Sequence, residues 1–166
     1  MPETGNAIIT LPSDTSLKIE RVFDAPAHLV WQAWTTPELV KRWWSGRRGV
    51  TTIAEIDLRV GGTWRYVMTT NDGMEVAFHG EYREVVPHER LVCTEVFELV
   101  PDDYAVTTLT LTETGGRTLM EILVEHTSTA ARDGHLNSGM ETGMNEAMDA
   151  LEVVAIELGT ASRRYV

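Results

Sequence analysis

GGTWRYVMTTNDGMEVAFHGEYREVVPHERLVCTEVF, residues 61–97, decides how the chain is read. It predicts antiparallel strands joined by two tight connections. Asn71-Asp72-Gly73-Met74 carries Asp-Gly at its centre, a pair that tolerates positive φ at both positions of a two-residue hairpin turn. Closing the ladder across Asn71 and Met74 sets Tyr66 opposite His79, Arg65 opposite Gly80 and Thr63 opposite Tyr82. The second connection, Pro87-His88-Glu89-Arg90, closes across Val86 and Leu91, which puts Tyr82 opposite Glu95 and Gly80 opposite Phe97.

Side chains alternate along a strand, so this register sorts the sheet into two faces. One carries Val67, Val76, Phe78, Tyr82, Val86, Leu91, Cys93, Phe97 and Leu99, with Arg65, Glu84 and Glu95 among them. The other carries Trp64, Tyr66, Met68, Ala77, Val92 and Val96 beside His79, Glu81, Arg83 and Glu98. The first is the more apolar and is read as inward, although the first strand by itself points the other way. Arg65, Tyr82 and Glu95 then lie on the buried face, with Gly80 leaving a gap between Arg65 and Glu95. An unpaired charge in an apolar interior is costly, so pairing, water or a ligand is expected there. Two readings stay open: a polar network that fixes the core, and a ligand cavity with an oriented polar group at its floor. On the outer face Trp64, Tyr66, Met68, Val92 and Val96 form a patch of the kind a homodimer or protein partner covers. The competing reading is that this strand is turned over.

A chain of 166 residues is long enough for one domain with a proper core, placed at about residues 16–159. A formal net charge of −11 argues against nucleic acid or an anionic membrane as partner. Cys93 is alone, which excludes an internal disulfide and suits the reducing cytoplasm. No apolar run reaches membrane-spanning length, and the first residues show no secretion-signal pattern.

Either side of the central stretch the elements are punctuated plainly. Ala7–Leu11 reads as a short strand and Ser16–Phe23 as a firm one, with Leu17, Ile19 and Phe23 on one face. Asp24 is placed as the N-cap of a helix over Ala27–Trp34, and Thr36 as the cap of a second short helix with Pro37 at its first position, ending near Trp43-Trp44. Val50–Leu58 is the next strand. Val106–Thr114 and Arg117–His126 form a hairpin about Gly115-Gly116, with Leu109 facing Ile122 and Leu111 facing Met120. Ser128 or Thr129 starts a long C-terminal helix with a break near Gly134 and a stop at Gly159. Met140, Met144, Ala147, Leu151, Val154 and Leu158 recur on its apolar face. Gly139 and Gly143 lower its propensity, so something is expected to approach that face closely. The order describes an α+β protein in which a curved antiparallel sheet wraps a long helix. The helix cannot cover the whole concave face, so an internal cavity is expected, closed by the two short helices.

The chemistry-bearing residues form no catalytic constellation. His28, His79, His88, His126 and His135 lack metal-ligand spacing, and one cysteine makes a zinc site improbable, so neither metal nor cofactor is expected. No nucleophile elbow or phosphate loop is present.

Taken together, RVFDAPAHLVWQAWTTPELVKRWW (21–44), IDLRVGGTW (56–64), GEYREVVPHERLV (80–92) and SGMETGMNEAMDAL (138–151) resemble the START-like, helix-grip superfamily. Within it they resemble homologues of the C-terminal domain of the activator of the heat-shock-protein-ninety ATPase. The resemblance runs in order from Leu17 to Leu158. It implies the birch-pollen-allergen fold with an internal cavity, and the binding of lipids, sterols, polyketides or other apolar molecules. Some members are cyclases, hydrolases or dehalogenase-like enzymes. Glu95 and Met144 stand where relatives often have tryptophan.

The expected function is binding of a small, largely apolar molecule. Arg65, Tyr82 and Glu95 orient it, and Trp43, Trp44, Phe78, Phe97, Met140 and Met144 shape the walls. The alternatives are a chaperone-associated interaction module and a cofactor-free enzyme using the same cavity.

Overall fold

Eight strands pair antiparallel in one curved sheet, in the order β1-β2-β8-β7-β6-β5-β4-β3. The structure, a computed structural model, describes residues 5–164. The strands are β1 (Ile8–Thr10), β2 (Ser16–Phe23), β3 (Gly49–Ile56), β4 (Thr63–Thr70), β5 (Glu75–Val86), β6 (Arg90–Phe97), β7 (Ala105–Thr114) and β8 (Arg117–Glu125). Helices α1 (Ala27–Thr35) and α2 (Pro37–Trp43) follow β2, and α3 (Thr129–Leu136) and α4 (Met140–Arg164) follow β8.

The long helix α4 lies in the grip of the sheet because its apolar stripe recurs at helical spacing. Ala147, Met148, Leu151, Val154 and Ala155 are buried with Leu17 and Ile19 of β2 and with Leu109, Met120 and Ile122 of the β7–β8 hairpin. Leu109 pairs with Ile122 and Leu111 with Met120, as the Gly115-Gly116 turn requires. Both glycines have positive φ, 60° and 78°, the conformation a two-residue hairpin turn demands. Arg21, 3 % exposed on β2, anchors the helix by donating to Asp149 at 2.6 Å, with Glu152 at 3.5 Å. From the other side, α1 and α2 close over α4. The Trp43 indole ties α2 to α1, donating to Ala33 O at 2.9 Å.

The central register differs from the sequence expectation by one residue at each turn. At the first, Thr69 pairs with Glu75, so three residues, Asn71-Asp72-Gly73, loop between Thr70 and Met74. The Thr70 hydroxyl sets this longer turn, accepting from Met74 N at 2.9 Å and donating to Asp72, while Gly73 takes φ 90°. Tyr66 therefore faces Phe78, Arg65 faces His79, and the whole of β4 is turned over relative to β5. At the second, Val86 pairs with Arg90 and His88 takes φ 68°. A bulge between Tyr82 and Glu84 then shifts the register by one residue more, so Tyr82 faces Cys93 and Phe78 faces Phe97, two residues from the expectation but with the same side chains inward. Inward and outward are thus reversed for β4 and kept for most of β6. At the turn end of β5 the inward residue is Val85, not Val86, and it packs against the core with Leu91.

Three helix boundaries also differ. The N-cap of α1 is Pro26, not Asp24, and neither it nor Thr36 caps its helix through a side chain. Asp24 N instead donates to Glu152 of α4 at 3.0 Å. Ser128 does cap α3, accepting from Ala131 N at 3.0 Å. The break falls at Asn137–Gly139, where Gly139 has φ 82°, and Gly134 stays helical. Nor does Gly159 stop α4: Leu29 of α1 packs so closely there that a β-carbon would meet its Cδ1 at 3.0 Å. Tertiary packing, not a left-handed cap, decides that position.

Candidate functional site

Between the concave face of the sheet and the first half of α4 lies a cavity of about 310 Å³. The antiparallel ladder supplies its floor. Trp64, Tyr66 and Met68 come from β4, Phe78 and Tyr82 from β5, Leu91, Cys93 and Glu95 from β6, and Thr107 and Leu109 from β7. Its roof is Met140, Gly143, Met144, Ala147 and Met148 of α4, and Trp34, Trp43, Trp44, Ser45 and Arg48 close the side next to α1 and α2.

Gly80 is what lets the floor be made. With no side chain on β5 at that point, the Trp64 indole crosses the strand and donates to Thr94 O on β6 at 3.1 Å. Trp64, 6 % exposed, then packs on Tyr66, and Trp44 sits edge-on to both Tyr66 and Phe78. The gap left by Gly80 is therefore spanned by Trp64, not by a contact between Arg65 and Glu95.

Of the residues the sequence points to, Tyr82, Glu95, Phe78, Trp43, Trp44, Met140 and Met144 all line the cavity. Phe97 stands one layer back, stacked on Phe78 with ring centroids 5.0 Å apart. Arg65 is a correction. The turned-over strand puts it on the convex face, where it clasps Glu98 through two bonds of 2.9 and 3.0 Å while His79 Nδ1 meets the same carboxylate at 3.0 Å. The outer aromatic patch is corrected with it, since Trp64, Tyr66 and Met68 face the cavity and leave Val92 and Val96 without them. The sequence reading missed these three as wall residues, although their own alternation marks them. It also missed Thr107, His135 and Arg48, which local pattern cannot bring to one site.

Arg48 holds the mouth. Its Nη2 donates to Gly139 O at 2.6 Å, and its guanidinium occupies the space over Gly143. Gly143 thus admits an arginine from the loop after α2, the close approach its position predicts, whereas Gly139 serves the break before α4 with φ 82° and accepts the bond through its carbonyl. His135 of α3 meets His126 through Nδ1 and Nε2 at 3.1 Å.

The lining disfavours charge. Burial pushes the phenols of Tyr66 and Tyr82 well above their ordinary value, and the two rings' hydroxyls stand near each other. Burial pushes the Cys93 thiol up to about 12, with Glu95 adding to it, so it is no nucleophile at neutral pH. Burial, then the neighbouring His126, brings His135 down to about 4. The Glu95 carboxyl is raised by burial, which a nearby Thr107 hydroxyl only partly offsets. Among the described residues no three His, Cys, Asp or Glu side chains gather to hold a metal ion. No helix there is long and apolar enough to cross a membrane.

A curved antiparallel sheet that grips a long C-terminal helix across an internal cavity is the helix-grip arrangement. The family described as activator of Hsp90 ATPase homolog 1-like protein matches residues 24–155, and the chain belongs to it. Solved structures carry the same fold. A protein of Rhodobacter sphaeroides is 29 % identical over 92 % of this chain and 99 % of its own, with a TM-score of 0.84. One from Nitrosomonas europaea is 25 % identical over 90 % and 99 %, at 0.81. One from Arthrobacter aurescens is 27 % identical over 90 % and 91 %, at 0.80. No curated protein matches the chain.

Proposed function

We propose that the chain binds a small, largely apolar molecule in the cavity between sheet and α4. The observation that supports this is the character of the lining. Trp44, Phe78, Leu109, Met144 and Met148 make walls that gain nothing from water, and the methionines can repack around guests of differing shape. Tyr82 and Glu95, with Tyr66 and Thr107, give the few polar points that orient a guest. Aromatic packing around Trp64, together with the Trp43 and Arg21 anchors, holds the walls apart, so the space is built before a ligand arrives.

The test is a fluorescence titration with the neutral apolar probe N-phenyl-1-naphthylamine. One probe per chain with blue-shifted emission is expected, and Met144→Trp, which fills the cavity from α4, should abolish it. Binding that is undiminished in Met144→Trp would place the probe elsewhere and defeat the proposal.

A further inference from the structure

Two polar groups, Glu95 and Thr107, meet in an otherwise apolar part of the cavity wall. Glu95 reaches the cavity from β6, and no cation acts on its carboxyl. Thr107 is its diagonal neighbour on β7, since Glu95 pairs with Ala105 and Cys93 with Thr107. Its Oγ1 is buried without a hydrogen-bond partner among the described residues. Trp44, Phe78, Leu109 and Met144 share the same cavity, so this pair is a polar point in an apolar wall.

We propose that Glu95 and Thr107 together receive the one hydrogen-bonding group of an uncharged ligand, an alcohol or a ketone, and that the cavity discriminates against the matching carboxylate. The inference rests on the cavity-binding function proposed above. A carboxyl end offers acceptor oxygens and, once protonated, an O–H, and the threonine hydroxyl can donate or accept. That set matches a hydroxyl or a carbonyl in either orientation. A buried polar group left unpaired is costly, so a ligand that supplies the missing bond is favoured over one that cannot. A carboxylate ligand would set a second acid beside Glu95, where two negative charges cannot both be held. Burial already shifts Glu95 toward its protonated form. In the same lining, Tyr66, Tyr82 and Cys93 are raised and His135 is lowered, so all are neutral at neutral pH. Arg48 is the cation of the lining, and it is exposed and already bonded to Gly139 O.

Displacement of N-phenyl-1-naphthylamine by 1-octanol and by octanoate at pH 7 tests this. Octanol should compete at a concentration at least about tenfold lower than octanoate, the ratio that one good hydrogen bond supplies. In Glu95→Leu/Thr107→Val the octanol affinity should fall by about the same factor while the probe still binds. Glu95→Gln, which has a hydrogen-bonding end that is always neutral, should retain it. Unchanged octanol affinity in the double variant would overturn the proposal, as would stronger binding of octanoate that is lost in Arg48→Gln. A wild-type chain that fails to take the probe at all would instead defeat the cavity-binding function, and this inference with it.

Discussion

The guanidinium of Arg48 occupies the place where Gly143 of α4 lacks a side chain: a β-carbon there would fall 2.6 Å from Arg48 Cζ. With the bond from Nη2 to Gly139 O, this ties the loop after α2 to the start of α4 across the cavity mouth. Gly143→Ala would meet only the far end of a flexible side chain, and alanine in a helix gains up to about 1 kcal/mol over glycine. Thermal unfolding should show equal or higher stability, while stopped-flow release of N-phenyl-1-naphthylamine becomes faster as Arg48 is pushed aside. An unchanged release rate would mean that Arg48 does not restrain the mouth.

Gly80 behaves in the opposite way. A β-carbon there would lie 1.8 Å from Thr94 O and 2.6 Å from the Trp64 indole nitrogen, and backbone cannot yield as a side-chain tip can. Gly80→Ala should cost about 3 kcal/mol or more by overpacking, read as a lower urea midpoint. Wild-type stability in this variant would contradict the crossing of Trp64 over β5.

Arg65 lies outside the site. Its guanidinium, with His79 assisting, holds the Glu98 carboxyl down at about 2. A carboxylate lowered in this way adds stability above its unfolded value near 4.3, and the contribution is lost as the pH falls through about 2. Arg65→Ala should therefore raise the Glu98 titration midpoint seen by NMR and leave probe affinity unchanged. Lost affinity in this variant would return Arg65 to the cavity.

His135 predicts acid sensitivity at the α3 end. Free histidine takes a proton near 6.5, whereas burial and His126 hold His135 to about 4. Between those values the unfolded chain binds the extra proton, so stability is full above about pH 6.5 and declines toward pH 4. Urea unfolding at pH 7 and pH 5 should show the loss, and His135→Phe should reduce it. An equal loss in the variant would place the effect at other groups.

Much of this was legible in the chain. The β7–β8 hairpin follows from Gly115-Gly116, and the gripped helix from the stripe that runs through Ala147, Leu151 and Val154. The floor of the site was legible on β5 and β6 but not on β4, for one local reason. Asp72-Gly73 signals a two-residue turn, yet the Thr70 hydroxyl bonds both Asp72 and Met74 N and makes a longer one. A one-residue slip turns a strand over, which exchanged Arg65 for Trp64, Tyr66 and Met68. The same slip between β5 and β6 did no harm, because the bulge before Glu84 restored the parity of Tyr82 and Glu95. Alternation with Leu109 turns Thr107 inward, but its place beside Glu95 depends on the β6–β7 pairing, and His135 and Arg48 reach the cavity only through contacts distant in sequence.

The methionines report directly on where a guest binds. Met68, Met140, Met144 and Met148 line the cavity, whereas Met74 lies exposed at the β4–β5 turn and Met120 is buried outside the lining. N-phenyl-1-naphthylamine titrated into protein labelled at the methionine methyl groups should shift the first four resonances to saturation at one probe per chain. Met74 and Met120 should stay in place. Saturation that moves Met74 while Met144 and Met148 remain fixed would put binding on the surface and contradict the cavity.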